Sequence, residues 1–552
     1  MAEGTATPGS GTSWTPERSA AGSHSPWLIA SVVSLPTFME VLDISIANVS
    51  LNHIAGALSA TYDESTWVLT SYLVSNAIII PMSGWLSDIL GRKRYYMISV
   101  ALFSIASFLC GLAPNLAFLV VARIAQGLAG GGLQPTTQTI LVDTFPPQRR
   151  GQALALFGVT AILGPAIGPV LGGFITDHFS WRWVFLINIP VGIVALLLVQ
   201  MFVTEPPLVQ QEVRQRWQRG ISVDALGILF VTAGLGFLEI TMDRGQREDW
   251  LASPLIRTTA IIALVSLVTF VVWELKRREP LLDLRMFKNR NFSLAMTLIL
   301  VVGVILFGTT QFLPQLLQQV MNYTATDAGL AMTLGGIATV IAMPIAGVLS
   351  DKIQTRYLVG SALLLEIFAL WRMTLLSTDM SFTDAALTRV WLAFGIPFLF
   401  LPLMNAAYRG LPPNRTNQAS ALLNIGRNLG GTIGISLIQA LLAQRQQFHQ
   451  ARYVESLNPL NPSYQHHLAL ITRALVAQGL PPLQAAQSAV GQLYRALLRQ
   501  ASMLAFLDCF WALMVFVAVI FPLALFLKAT PAVGTGMQSP GSGRLAAADA
   551  GE

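Results

Sequence analysis

The sequence predicts an all-α polytopic membrane protein, and three observations carry that prediction. The chain is 53% hydrophobic and only 11% charged, about half the charged share of a soluble domain, and its mean hydropathy is +0.59. Apolar windows of about 20 residues, the length of helix that crosses a hydrocarbon core, recur along most of it. Finally, a unit occurs twice. Pro81–Asp88 (PMSGWLSD) returns as Pro344–Asp351 (PIAGVLSD) at an offset of 263, and Pro147–Leu156 (PQRRGQALAL) returns as Pro413–Leu422 (PNRTNQASAL) at an offset of 266. Two matches in the same order at nearly one offset mark two copies of one unit, the pattern of a transporter built from two halves.

Residues 1–25 are rich in Gly, Ser, Thr, Pro and Ala and read as a disordered cytoplasmic tail, as do residues 528–552. Between them, apolar windows fall near 28–49, 66–86, 96–113, 117–142, 152–175, 184–203, 223–242, 256–274, 292–313, 328–349, 358–376, 387–408, 419–442 and 503–527, which predicts about fourteen spans. With the amino terminus inside, the short inside loops carry 18 Lys and Arg against 3 outside, which places both termini in the cytoplasm. The same distribution explains the net charge of +6 without nucleic acid.

The repeat offset then locates an insertion. A six-helix unit occupies 26–203, close to 180 residues, so an offset of about 265 leaves a surplus of about 85. That surplus is the segment 204–291 with its two windows, and the arrangement is six plus two plus six. The second unit is 292–527. It contains a long outside connection, 443–501, with helical periodicity after Thr472. A connection of that length is either functional or disordered.

Acidic residues inside spans are the chemical candidates, since each costs about 2.5–3.5 kcal/mol to insert. The first window holds Glu40 and Asp43, three residues apart on one helix face, a placement suited to loading and releasing a proton. The alternative for each is a carboxylate locked in an ion pair. Arg123, several residues inside the fourth window, must find an acid, a carbonyl or water, and either tunes these carboxylates or only bridges helices. After the second window, Gly84, Asp88, Gly91, Arg92 and Arg94 form a charged turn, and Gly347 and Asp351 repeat part of it. Charges that pair in one state and part in another would make a cytoplasmic gate.

Gly164, Pro165, Gly168, Pro169, Gly172 and Gly173 in the fifth window predict a bend and a sliding seam between the halves. Asn48, Gln126, Gln311, Gln315, Glu239 and Glu366 are candidates for lining a substrate pathway. Cys110 and Cys509 lie in apolar windows and predict neither disulfides nor a metal site. No nucleophile, base and metal constellation suggests an enzyme.

At these residues the chain resembles a known family. Gly84–Arg94 is similar to the signature loop of the major facilitator superfamily, Arg123-Ile-Ala-Gln126-Gly127 to its helix-4 motif, and Gly164–Gly173 to the antiporter motif of drug exporters. Leu42-Asp43-Ile-Ser-Ile-Ala-Asn48-Val resembles the helix-1 motif of fourteen-helix drug:proton antiporters. The stretches Trp181–Pro190, Met242–Gly245, Leu313–Gln318, Tyr323–Thr326 and Asn458–Pro462 point to the EmrB branch of the EmrB/QacA group, and the resemblance runs from about 30 to 527.

It implies the major facilitator fold and proton-driven export of hydrophobic drugs and other toxic compounds, with Asp43 as proton carrier and no cofactor beyond the proton gradient. It also implies the inner membrane of a Gram-negative cell and work with an EmrA-like periplasmic adaptor and a TolC-like outer-membrane channel, which makes 443–501 periplasmic. Glu40, Glu239 and Glu366 depart from the family pattern. Two other functions stay open on the same sequence, a dedicated exporter of one metabolite or siderophore and a membrane receptor or scaffold that does not transport.

Overall fold

The computed structural model describes residues 25–527 apart from 147–148, 206, 220–222, 278–279 and 410–414. Both predicted tails therefore lie outside the described residues, apart from Ser25, as do the starts of the repeated stretches at Pro147 and Pro413. Every regular element among the described residues is a helix. A backbone deprived of water must satisfy its own polar groups, and over these apolar windows a helix does so segment by segment.

A helix stands at each of the fourteen windows. In the first half these are α1 Pro26–Val49, α2 Trp67–Leu90, α3 Arg92–Gly111, α4 Leu116–Thr144, α5 Arg150–His178 and α6 Trp183–Phe202. The insertion supplies α7 Ala225–Arg244 and α8 Pro254–Lys276. The second half follows with α9 Arg290–Gln319, α10 Ala325–Lys352, α11 Thr355–Thr374, α12 Phe382–Tyr408, α13 Thr416–Val454 and α14 Pro482–Leu525. Among the described residues twelve helices are long and apolar enough to cross a membrane, thirteen with α5, which bends by 42° between Pro165 and Val170. The remaining one, α13, falls short because its buried face carries Asn417, Ser420, Asn424 and Arg427.

Side chains set several of the ends. Asn115 caps α4 by accepting from the Phe118 amide, Asp224 caps α7 from the Gly227 amide, and Thr324 with Asp327 closes a capping box on α10. Gly91 takes φ +88°, a turn that only glycine makes without strain, and the Glu205 carboxylate fills the space beside it, accepting from the amides of Arg92 (2.7 Å) and Lys93 (3.2 Å). An anion at the start of α3 suits the helix dipole.

Within each half the packing follows the repeat: α1 lies on α5 and α9 on α13, α2 on α4 and α10 on α12. Between the halves two matching contacts form, α5 on α10 and α2 on α13. The repeated stretches meet there crosswise. Gly84 of α2 lies against the Asn417 carbonyl at the start of α13, and Gly347 of α10 lies against the Gly151 carbonyl at the start of α5. Asn417 and Gly151 are themselves equivalent at the 266 offset.

Gly164, Gly168 and Gly172 of α5 do not form the expected seam between halves. Four residues apart, they face Val41, Ser45 and Ile46 of α1 in the same half, and a Cβ at Gly168 would meet Ser45 Oγ at 2.3 Å. Close approach of two helices needs such a small-residue row. The contact between halves falls instead to Gly151, to Gly158 against Met343, and to Val170 against Gly329. Gly173 has open space, and the side chain of Pro169 lies outside the described ones.

The inserted helices pair with each other, Gly234 packing on Leu267 and Thr241 bonding Thr259 at 2.9 Å. From that hairpin α7 reaches both halves. Asp243 accepts from Thr70 of α2 at 2.6 Å, while Thr432 of α13 donates to Glu239 at 3.1 Å and Ser436 bonds the Met242 carbonyl. Ahead of the hairpin, a helix at Pro207–Arg219 lies against the end of α2.

The 443–501 connection is helical almost throughout, well beyond the periodic part after Thr472. α13 continues to Val454, a helix spans Pro462–Ala477, and α14 starts at Pro482. Polarity ends the apolar window at 442, but nothing there ends the helix. At its base Asp508 of α14 takes Arg445 (2.5 Å) and His449 (2.8 Å) of α13.

Candidate functional site

Asp43 sits wholly inside the first half, where two helices, α4 and α6, hand it donors. Its Oδ2 accepts from Arg123 Nη1 of α4 at 2.6 Å, and its Oδ1 accepts from Gln126 Nε2 at 3.0 Å and Asn188 Nδ2 of α6 at 2.7 Å. Ser107 of α3 fixes the two amides, taking hydrogen bonds from Asn188 (3.0 Å) and Gln126 (3.1 Å). The guanidinium is held in turn: Nε donates to the Val68 carbonyl of α2 at 3.0 Å, and the Tyr72 ring lies 4.2 Å from Cζ. A buried carboxylate survives only with such complete pairing. Chemically, any change at the Asp43–Arg123 pair is passed to a cluster spread over five helices.

Glu40, one turn earlier on the same helix face, joins a different network. Its Oε1 accepts from Asn76 (3.1 Å) and Gln134 (3.4 Å), and its buried Oε2 has no donor. Gln134 Oε1 takes Arg427 Nη2 of α13 at 2.6 Å, so the chain Glu40–Gln134–Arg427 crosses from one half to the other. One turn on, Gln138 Oε1 accepts from Asn424 (2.8 Å) and Ser420 (2.9 Å) of α13. The sequence reading missed this polar seam, although its signal is present: Gln134 and Gln138 on α4, and Ser420, Asn424 and Arg427 on α13, fall at helical spacing.

At the repeated turns, Asp88 and Arg92 take separate partners. Asp88 accepts from Asn417 Nδ2 of α13 at 2.5 Å and from Arg216 of the Pro207–Arg219 helix at 3.3 Å, and Trp217 beside it donates to the Ile89 carbonyl at 2.9 Å. Arg92 turns instead to Asp143 at the end of α4. Both partners come from far along the chain, beyond the reach of local spacing. Arg94 is exposed. Asp351, the counterpart of Asp88, accepts from Asn405 Nδ2 at 3.4 Å and lies against Gly151.

The other candidates are scattered. Asn48 and Gln311 are exposed, Gln315 donates to Gln319 at 3.3 Å, Glu239 lies between α7 and α13, and Glu366 is buried on α11 beside Gly395. Only Gln126 joins Asp43. Applying the 266 offset to Arg123 gives a further residue that was overlooked, Arg389 of α12, buried and donating to Thr309 (3.1 Å) and Thr310 (3.0 Å) of α9.

Comparison with known proteins fits this geometry. The model of the Major Facilitator Superfamily matches residues 33–435. The Multidrug export protein EmrB of Escherichia coli K12 is 36% identical over 510 residues, 92% of this chain and 96% of that protein. The Fatty acid resistance protein FarB of Neisseria gonorrhoeae is 35% identical over 458 residues, 83% of this chain and 89% of that protein. Among solved structures, the proton:xylose symporter XylE bound to 6-bromo-6-deoxy-D-glucose matches with TM-score 0.54 at 14% identity, covering 92% of this chain and 96% of that one, a likeness of fold. A repeated six-helix unit, its crossed glycine contacts and these matches together place the chain in the Major Facilitator Superfamily, as an EmrB-like multi-pass membrane transporter and not an enzyme.

Proposed function

We propose that the protein is a proton-driven multidrug efflux antiporter that exports hydrophobic or amphipathic toxic compounds across the inner membrane of a Gram-negative cell. All fourteen helices span in this reading, six plus two plus six, with both termini cytoplasmic and the loops at Asp88 and Asp351 on the cytoplasmic side. The observation that carries it is Asp43, a wholly buried acid inside the first half, ion-paired with Arg123 and held by two amides. Proton release to one side and drug release to the other alternate because the same helices, α1 and α4, carry the acid network and flank the seam between halves. The cytoplasmic gate is read from the crossed contacts at Asp88–Asn417 and Gly347–Gly151.

The similarity to EmrB supports a place in a tripartite system with an EmrA-like periplasmic adaptor and a TolC-like outer-membrane channel, the helical 443–501 segment being the docking element. The similarity to FarB, a fatty acid resistance protein, favours a second reading in which amphipathic acids are the main cargo. Purified protein in liposomes with an imposed pH gradient tests the proposal. Asp43→Asn is expected to insert normally and abolish pH-driven drug uptake, and full uptake by this variant would overturn the assignment. A susceptibility panel in an efflux-deficient host separates the two cargo readings.

A further inference from the structure

Glu366 and Arg389 are a buried acid and a buried guanidinium within electrostatic reach of each other, in the half of the molecule that lacks a counterpart of Asp43. The repeat makes the comparison. At the 266 offset Arg123 corresponds to Arg389 and Asp43 to Thr309, and the contact itself is kept, Arg389 Nη1 donating to Thr309 Oγ1 at 3.1 Å where Arg123 Nη1 donates to Asp43. The second half has thus exchanged the carboxylate of its first helix for a hydroxyl. A carboxyl reappears on its third helix as Glu366, wholly buried and acted on by Arg389.

The two sites differ in one respect. Asp43 is bonded to its arginine and to two amides, whereas neither oxygen of Glu366 has a hydrogen-bond donor and Arg389 Nε has no acceptor. The space is fitted to the acid, because a Cβ at Gly395 would meet Glu366 Oε1 at 2.5 Å. A bare carboxylate left unpaired in such a place costs several kcal/mol by order of magnitude, and a carboxyl that holds a proton needs no guanidinium. The closed pair has the arrangement of an acid without its proton, and the open pair that of an acid with one.

Other ionisable groups on the packed helices are engaged elsewhere. Asp508 of α14 is held by Arg445 and His449, Arg499 donates to the Val320 carbonyl, Asp384 bonds Ser381 at the start of α12, and on α10 Asp327 caps the helix while Asp351 faces Asn405 and Gly151. Arg372 on α11 itself is exposed.

We infer that Glu366 is a second proton-carrying site, paired with Arg389, so that each transport cycle moves one proton more than Asp43 alone accounts for. The inference rests on the antiport reading, and the experiment keeps the two apart. In liposomes, protons exchanged per drug are counted from the membrane potential at which drug flux reverses, for the native protein and for Glu366→Gln. Loss of one proton per drug in the variant, with drug binding retained, is the expected result. An unchanged count overturns the inference alone, and absence of any proton exchange by the native protein overturns the antiport reading beneath it. Should Glu366→Gln fail to fold, the native protein is treated with the hydrophobic carbodiimide dicyclohexylcarbodiimide, which attacks protonated buried carboxyls. An adduct at Glu366 that forms faster in acidic than in alkaline buffer supports the site, and no adduct, or one indifferent to pH, refutes it.

Discussion

Asn417 Nδ2 donates a 2.5 Å hydrogen bond to Asp88, and the residue equivalent to Asn417 in the other half, Gly151, lies against the residue equivalent to Asp88, Asp351. One contact type therefore closes both edges of the seam, with a side-chain amide on one edge and bare backbone on the other. A hydrogen bond to a charged group is worth about 1.5–3 kcal/mol, and about 1.4 kcal/mol is tenfold in an equilibrium. Asp88→Asn or Asn417→Ala should lower maximal drug transport about tenfold while leaving apparent affinity within about twofold. Transport kinetics in liposomes decide it, and a shifted affinity at normal turnover would count against a gate.

On the other edge the test is steric. A Cβ at Gly151 would stand 2.8 Å from both the Gly347 carbonyl and Asp351 Oδ1. Gly151→Val should hold the two halves apart there, giving a protein that binds drug but does not turn over. Spin labels placed across α5 and α10 would report a lengthened distance, and a native distance with native turnover would contradict the packing.

Within α5 the glycines should not be equivalent. Gly168→Ala forces a methyl onto Ser45, and overpacking of this kind costs about 1–3 kcal/mol, whereas Gly173→Ala adds a methyl to open space. Thermal unfolding in detergent should show a clearly lowered midpoint for the first and no change for the second. Equal midpoints would remove the α1–α5 contact as the reason for the glycine row.

Glu40 keeps one oxygen unbonded and reaches, through Gln134, a seam that otherwise offers amides, a hydroxyl and Arg427. Glu40→Gln keeps the hydrogen bonds from Asn76 and Gln134 but removes the ability to ionise when a cation comes near. Efflux of permanently cationic dyes should fall about tenfold or more, the scale of one desolvated charge contact, with neutral compounds barely affected. Uniform loss across both classes would assign Glu40 to coupling rather than to recognition.

Replacing 450–498 with a short Gly/Ser linker should leave drug transport in vesicles intact and remove resistance in cells, where the outer membrane must also be crossed. Retained resistance with retained adaptor binding would make the helical projection a spacer.

Much of this architecture was legible in the sequence because a membrane allows few solutions: an apolar window of sufficient length becomes a helix, and fourteen did. Where legibility failed, the cause was contact between distant residues or continuation of a helix into water. The partners of Arg92 could not be read from the turn itself, because Asp143 at the end of α4 takes its guanidinium and Glu205, from the connection after α6, takes its backbone amide. Glu40 and Asp43 share a helix face, yet a three-residue step rotates them enough to enter separate networks. α13 passes its apolar limit at 442 and continues to Val454, since water does not unwind a helix whose residues favour one. Arg389 was hidden only because the repeat offset was not carried to Arg123.

The inserted hairpin makes the two flanks of the molecule unequal toward lipid. On one flank α7 is bonded to α2 and α13 together, through Asp243 on one side and Glu239 and Met242 on the other. On the opposite flank α5 and α10 meet, among the described residues, without a third helix bonded to both. When the halves rock, the clasped flank must either break one set of bonds or carry α7 and α8 along, so it behaves as the hinge side of a door and the α5–α10 flank as its free edge. On the proposed antiport cycle, a compound dissolved in the bilayer would then have one lateral entrance rather than two.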